Sequence, residues 1–155
     1  MEIHLFTIGK TKEKYLQKGI DIYLDRLKHY VKLNYAEWSG IKKSSSPKQL
    51  LEEEGDYILS KLRNQDYLVL LDEGGKTYTS EGLAQLIETW QIKMRGRIWI
   101  VVGGAYGFSK KVKQRADLLL SLSKLTFTHQ MVRLFVLEQI YRAFTIIKGE
   151  KYHNA

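Results

Sequence analysis

The chain contains no cysteine, which excludes disulfides, thiolate nucleophiles and cysteine-based metal centres. Its histidines, His4, His29, His129 and His153, are scattered and lack the short spacings of a metal motif. Long apolar runs are also missing, and no stretch approaches the roughly 20 residues that a membrane-spanning helix needs. The opening "MEIHLFTIGK" has an acid at position 2 and no basic region before its apolar residues. It therefore reads as the first strand of a cytoplasmic protein rather than a secretory signal. Proline occurs once, as Pro47. With Ser46 before it and Gln49 after it, this proline marks the first turn of a helix with a capping-box pattern.

At 155 residues the chain is long enough to bury a core and is expected to form a single domain over 1–155. Lysine and arginine exceed aspartate and glutamate by 25 − 17 = 8. That excess points to an anionic partner, either nucleic acid or an anionic membrane surface.

Strand-like and helix-like segments alternate. Residues 2–8 read as a strand, and 11–30 place Leu16, Ile20, Tyr23, Leu24 and Leu27 on one helical face. Residues 31–38 alternate as a half-buried strand, and the polar stretch that follows reads as a loop. The helix after Pro47 turns Leu50, Leu51, Tyr57, Ile58 and Leu62 inward. "DYLVLLD" at 66–72 is an apolar strand ended by a turn at "EGGK", after which Ser80 caps a helix carrying Leu83, Leu86, Ile87 and Trp90. Further strands are expected at 97–102 and 117–123, a short helix at 110–115, and a long helix from about 128 to 148. Apolar strands alternating with helices predict an α/β fold, a mostly parallel sheet with helices on both faces.

The stretch "VVGGAYG" at 101–107 lies between a strand and a helix, where phosphate-binding loops occur. The dinucleotide fingerprint fails because Ala105 stands where its second glycine belongs. Two "GKT" triplets, at 9–11 and 75–77, are not Walker loops, because His4 and Leu70 occupy the position of the required earlier glycine. What remains is a flexible loop at the carboxyl end of a central strand, the place where open α/β sheets bind ligands. Next to it, Lys110, Lys111, Lys113 and Arg115 put four basic groups and no acid on one short helix. Positive charge at a helix N-terminus opposes the macrodipole, so an anionic ligand or an RNA backbone is a natural use for it.

The last helix is apolar nearly all round, with Arg133, Glu138, Arg142 and Thr145 read as a narrow polar stripe. In a small domain such a helix points to a subunit interface, and so to a homodimer. His129 suits a capping, core or catalytic role. Arg133 and Arg142 each suit RNA or cofactor contact, or hydrogen bonding at an interface.

The block "SLSKLTFTHQMVRLFVLEQIYRAFTIIKGEKYH" at 121–153 resembles the C-terminal signature of the ribosomal RNA large subunit methyltransferase H family. "LLDEGGK" at 70–76, "VVGGAYG" and the opening "IHLFTIGK" resemble the same family. The resemblance covers essentially the whole chain and implies a fold of the SPOUT class with a C-terminal trefoil knot. It further implies S-adenosylmethionine as cofactor and methylation of N3 of a pseudouridine in 23S rRNA, on the assembled ribosome, by a homodimer. The cofactor-binding segments carried over by that resemblance are Leu71, then Gly103 and Gly104, then Ser123, Lys124, Leu125, Thr126, Phe127 and Thr128. Thr128 stands where the family usually has proline, and Tyr106 where a small polar or acidic residue is common. With the resemblance, Tyr152 and His153 are catalytic candidates that orient the base or assist its proton loss, and Arg142 is a further catalytic candidate. Lys110, Lys111, Lys113 and Arg115 are the RNA-contacting candidates. Two other readings are a non-catalytic RNA- or ribosome-binding protein and a tRNA methyltransferase.

Overall fold

The computed structural model describes residues 1–40 and 46–154, so the loop-like reading of 41–45 lies outside the described residues. Helices and strands alternate as β1 (Glu2–Ile8), α1 (Lys14–Leu27), β2 (Lys32–Trp38), α2 (Pro47–Lys61) and β3 (Tyr67–Thr77). They continue as α3 (Ser80–Lys93), β4 (Ile98–Val102), α4 (Lys110–Arg115), β5 (Leu118–Ser121) and α5 (Met131–Ile147). The strands form one sheet in the order β2-β1-β4-β3-β5, with every neighbouring pair parallel. No described helix is long and apolar enough to cross a membrane.

The two-residue period of a strand divides its side chains between the two faces, and both faces are buried. Ile3, Leu5, Val69, Ile98, Ile100 and Val102 pack with buried residues of α1, α3 and α5. Phe6, Ile8, Leu68, Leu70, Trp99 and Val101 pack with Ile58 of α2 and Val112 of α4. Continuous apolar strands are what a doubly covered parallel sheet requires. β4 is its central strand, and all five of its residues are buried.

Four local expectations change. Thr79, not Ser80, caps α3: its hydroxyl accepts from the Gly82 N–H at 3.0 Å, which leaves Ser80 to donate to Gln139. "EGGK" is not a terminating turn. β3 runs on to Thr77, and Leu71 and Lys76 both pair with Leu120, so the residues between them bulge out of the ladder. Gly75 permits this because a Cβ there would lie 2.6 Å from the backbone of Leu119. On α2, Glu54 and Gly55 are buried along with Ile58, whereas Leu50, Leu51, Tyr57 and Leu62 are only half-buried. On α5, Arg133 does not share a polar stripe with Arg142. Nine residues at 100° each place the two on opposite sides of the helix, and both Arg133 and Thr145 are fully buried.

Candidate active site

The carboxyl ends of β4 and β5 and the bulge of β3 open into a cleft of about 660 Å³, within the usual range for a small-molecule site. Three chain segments line it: 71–73 at the β3 bulge, 102–108 after β4, and 120–129 after β5 apart from Lys124. In the second segment the Gly107 N–H donates to the Gly104 carbonyl at 3.1 Å, and Gly107 takes a φ of 75°, a left-handed conformation suited to glycine. This closes a tight turn with Tyr106 exposed at its tip. A Cβ on Gly103 would stand 3.1 Å from both the Gly107 carbonyl and the Phe108 ring, so the small residue there is set by the turn itself. A Cβ on Gly104 would meet Ile8 and Glu54 at ordinary distances, 3.6 and 3.8 Å.

The third segment is built from local hydroxyl bonds. Ser121 donates to the Ser123 carbonyl, the Ser123 hydroxyl accepts from the Leu125 N–H, and the Thr128 hydroxyl accepts from the Met131 N–H at 3.1 Å. The last of these gives α5 a polar start even though Gln130, at its cap position, makes no side-chain cap. The cleft therefore gathers Leu71, Gly103, Gly104, Ser123, Leu125, Thr126, Phe127 and Thr128, while Lys124 is exposed and outside the lining. Asp72, Glu73 and Lys113 also line it. Reading "EGGK" as a turn hid Asp72 and Glu73; the glycine pair is the sequence signal that marks a bulge there.

His129 lines the cleft as well. Burial, helped by the charges of Arg133 and Lys12, holds its pKa below the ordinary imidazole value. Behind it, the guanidinium of Arg133 donates to the carbonyls of His129, Gly9 and Ile8 and to the Thr11 hydroxyl, at 2.8–3.0 Å. Glu37 stands 3.5 Å from it and accepts from the N–H and hydroxyl of Thr11 and from the Tyr35 hydroxyl. Burial opposes ionisation of Glu37, yet those bonds and the arginine hold its carboxyl below the usual range. Arg133 thus joins the end of β1 to the start of α5, and its role here is to fix the cleft wall.

Arg142, Tyr152 and His153 come together in one cluster, but none of them lines the cleft of its own chain. Arg142 donates to Glu138 through Nε and Nη2, and through Nη1 to His153 Nδ1 at 3.1 Å. Arginine has no acceptor, so Nδ1 carries the lone pair and the His153 proton sits on Nε2. From there it is donated to Glu81 at 2.8 Å. Tyr152 donates to Glu138 at 3.0 Å and lies 3.2 Å from the Tyr23 hydroxyl. Burial, with those two neighbours, pushes its phenol pKa upward. Both nitrogens of His153 are thus engaged, and Tyr152 is held in its neutral form beside Arg142.

The basic helix α4 is less free than its sequence suggests. Lys111 pairs with Asp56, Lys113 with Asp72 and Arg115 with Asp117, at 3.1–3.5 Å, and Lys110 is exposed.

Residues 1–153 match the family described as predicted SPOUT methyltransferase. Proteins named ribosomal RNA large subunit methyltransferase H align over nearly their full lengths. That of Christiangramia forsetii is 48% identical over 99% of both chains. That of Cytophaga hutchinsonii is 46% identical over 99% of this chain and all of the relative, and that of Halothermothrix orenii is 44% identical at the same coverage. Among solved structures, a tRNA (m1G37) methyltransferase from Aquifex aeolicus superposes with a TM-score of 0.57 at 14% identity, covering the whole of this chain and 76% of the other. At that identity the likeness concerns the fold alone. A parallel sheet with a cleft at its carboxyl ends, a family match over nearly every residue and close full-length relatives together place the chain in the SPOUT methyltransferases, within the ribosomal RNA large subunit methyltransferase H family.

Proposed function

We propose that this protein uses S-adenosylmethionine to methylate large-subunit ribosomal RNA, at N3 of a pseudouridine in 23S rRNA on the assembled ribosome in the cytoplasm. The observation that carries the cofactor reading is the character of the cleft. It offers glycine backbone, hydroxyls and apolar walls with the acids Asp72 and Glu73, and its one lysine is paired with Asp72. That lining fits a cationic nucleoside without phosphates and is unsuited to a nucleotide. Leu71, Gly103, Gly104, Ser123, Leu125, Thr126, Phe127 and Thr128 would hold it, with exposed Lys124 at the rim. The cofactor supplies an activated methyl group, and in-line transfer from it depends chiefly on positioning. The knotted C-terminal path belongs to the same reading.

The homodimer gives the tail a role. Val132 lines the cleft and Arg142 lies ten residues further along α5, about 15 Å at 1.5 Å per residue. The cluster of Arg142, Tyr152 and His153 therefore serves a cleft other than its own chain's. Arg142 keeps N–H groups free to stabilise the negative charge that develops on the imide as N3 loses its proton. Lys110, Lys111, Lys113 and Arg115 remain RNA-contacting candidates on α4.

Calorimetry with S-adenosylmethionine, followed by labelled methyl transfer to intact ribosomes, free 23S rRNA and tRNA, tests this reading. Binding and transfer to ribosomes are expected, whereas absence of binding at millimolar cofactor refutes it. Co-expressed Gly103→Val and Arg142→Ala chains, each inactive alone, should regain activity as mixed dimers. A mixed population as inactive as its parents would remove the shared site.

A further inference from the structure

We propose that the connection between β1 and α1 together with the first turn of α1, bearing Lys10, Lys12 and Lys14 with Tyr15 beside them, is a phosphate- and base-contacting RNA surface at the rim of the cleft. The inference rests on the RNA methyltransferase reading above and assigns where the RNA lies.

All three lysines are exposed, and no ion pair engages them among the described residues. Glu13 is the only acid in the segment, and the first turn of α1 carries none. Four exposed side chains of this composition gain nothing from one another, since like charges repel and Tyr15, 64% exposed, buries little apolar area. An RNA backbone would neutralise the lysines, and an unstacked base would cover the ring.

The segment is also unusually fixed for a loop. The Gly9 N–H donates to the Trp38 carbonyl, and the Gly9 carbonyl accepts from buried Arg133. Thr11 is buried and held by Glu37. Gln130 closes the far side: its Oε1 accepts from the Lys12 N–H at 2.9 Å and its Nε2 donates to the Lys10 carbonyl at 3.0 Å. Gln130 directly follows Thr128 and His129, which line the cleft. The lysines are thus carried on backbone locked to the cleft rim, so binding orders little beyond the side chains themselves. On α4, by contrast, three of the four basic groups already face a carboxylate, and RNA must compete for them.

The test uses the full chain in four forms: wild type, the triple variant Lys10→Ala, Lys12→Ala, Lys14→Ala, the α4 variant Lys110→Ala, Lys111→Ala, and Tyr15→Ala. Filter retention of labelled 23S rRNA at graded salt is read beside methyl transfer to intact ribosomes. The triple variant is expected to weaken RNA binding at least tenfold and to flatten the log–log salt slope by about two to three, close to one per phosphate contact. Its melting temperature and cofactor affinity should stay at wild-type values. The α4 variant should lose less, and Tyr15→Ala should cost about fivefold or more with no change in salt slope. A triple variant that binds 23S rRNA as wild type does, with the same slope, overturns the proposal. So does one that retains RNA binding yet fails on ribosomes, which would assign the lysines to a ribosomal protein. Wild type that binds RNA but transfers no methyl group refutes the enzymatic reading and leaves the surface to be judged by the binding data alone.

Discussion

β3, β4 and β5 are closed at one end and open at the other, and the difference is made by charge. At their amino ends, Asp66 accepts from the Arg63 N–H and from the Arg97 backbone N–H, Nε and Nη2. Arg115 donates to the Asp66 carbonyl, and Asp117 accepts from the Leu68 N–H. Every strand start is tied to its neighbour by a side chain that cannot be shared with a ligand. Toward the other end β3 bulges, β4 turns on glycines and β5 passes into a hydroxyl-bearing loop, leaving backbone and small side chains around the cleft. The nearest comparable lock there, Arg133 with Glu37, joins β1 and β2 to α5 and so borders the opening without filling it. One sheet thus separates a region that holds the strands from a region that admits a small molecule.

The strongest way to break this contrast is at the open end. Gly103→Val puts side-chain atoms where the Gly107 carbonyl and Phe108 ring stand, and calorimetry should then detect no cofactor binding. Gly104→Ala, with only ordinary contacts to make, should bind within a few-fold of wild type. Equal affinity in both would refute the assignment of this turn to the pocket.

Next in size is Arg133→Met, which leaves half-buried Glu37 and the carbonyls of Ile8, Gly9 and His129 without their cation. A loss of about 3–5 kcal/mol is expected in urea denaturation, with weaker cofactor binding because the wall at His129 is released. A variant as stable as wild type would show that the lock does not hold the rim.

At the closed end, Asp66→Asn tests the corresponding lock. Burial disfavours the Asp66 carboxylate, but the bonds from Arg97 and Arg63 outweigh it and hold the pKa at about 2, below the ordinary 3.8. A depressed acid stabilises the fold above its unfolded pKa and loses that contribution as pH falls from about 4 through 2. The variant should therefore be less stable by about 2 kcal/mol at neutral pH, converge with wild type toward pH 2, and bind cofactor normally. Lost cofactor affinity would mean that the two ends are not independent.

The smallest effect is expected from Glu54→Gln. Glu54 is buried on α2 beneath Gly104, and burial raises its pKa above the ordinary 4.5. A raised acid costs stability as pH climbs from its unfolded toward its folded value. The glutamine variant should melt higher than wild type at pH 8 and equally near pH 4. A constant difference across that range would show that the carboxyl does not titrate under the turn.

The sequence carried the alternation of elements, because each strand of a doubly covered sheet must be apolar and each helix must show a periodic face; the five strands and five helices were legible for that reason. It also pointed to the loop after β4 as a candidate ligand site, and that loop lines the cleft. Side-chain placement at the site was less legible. Asp72 and Glu73 face the cleft because β5 runs against Gly75 and forces β3 to bulge, a contact between segments more than forty residues apart. Arg133 and Arg142 look alike in sequence, yet one is locked inside and the other sits in the tail cluster, since a helix of 3.6 residues per turn sends them to opposite sides.

Charge shows the same division. Composition alone determined that this chain is basic and suited to an anionic partner. Only the tertiary structure decided which cations are available, by bringing Asp56, Asp72 and Asp117 to α4 and, among the described residues, no ion-pairing carboxylate to Lys10, Lys12 and Lys14. Net charge is a sum over residues and needs no fold, whereas pairing depends on distances of a few ångströms that only folding sets.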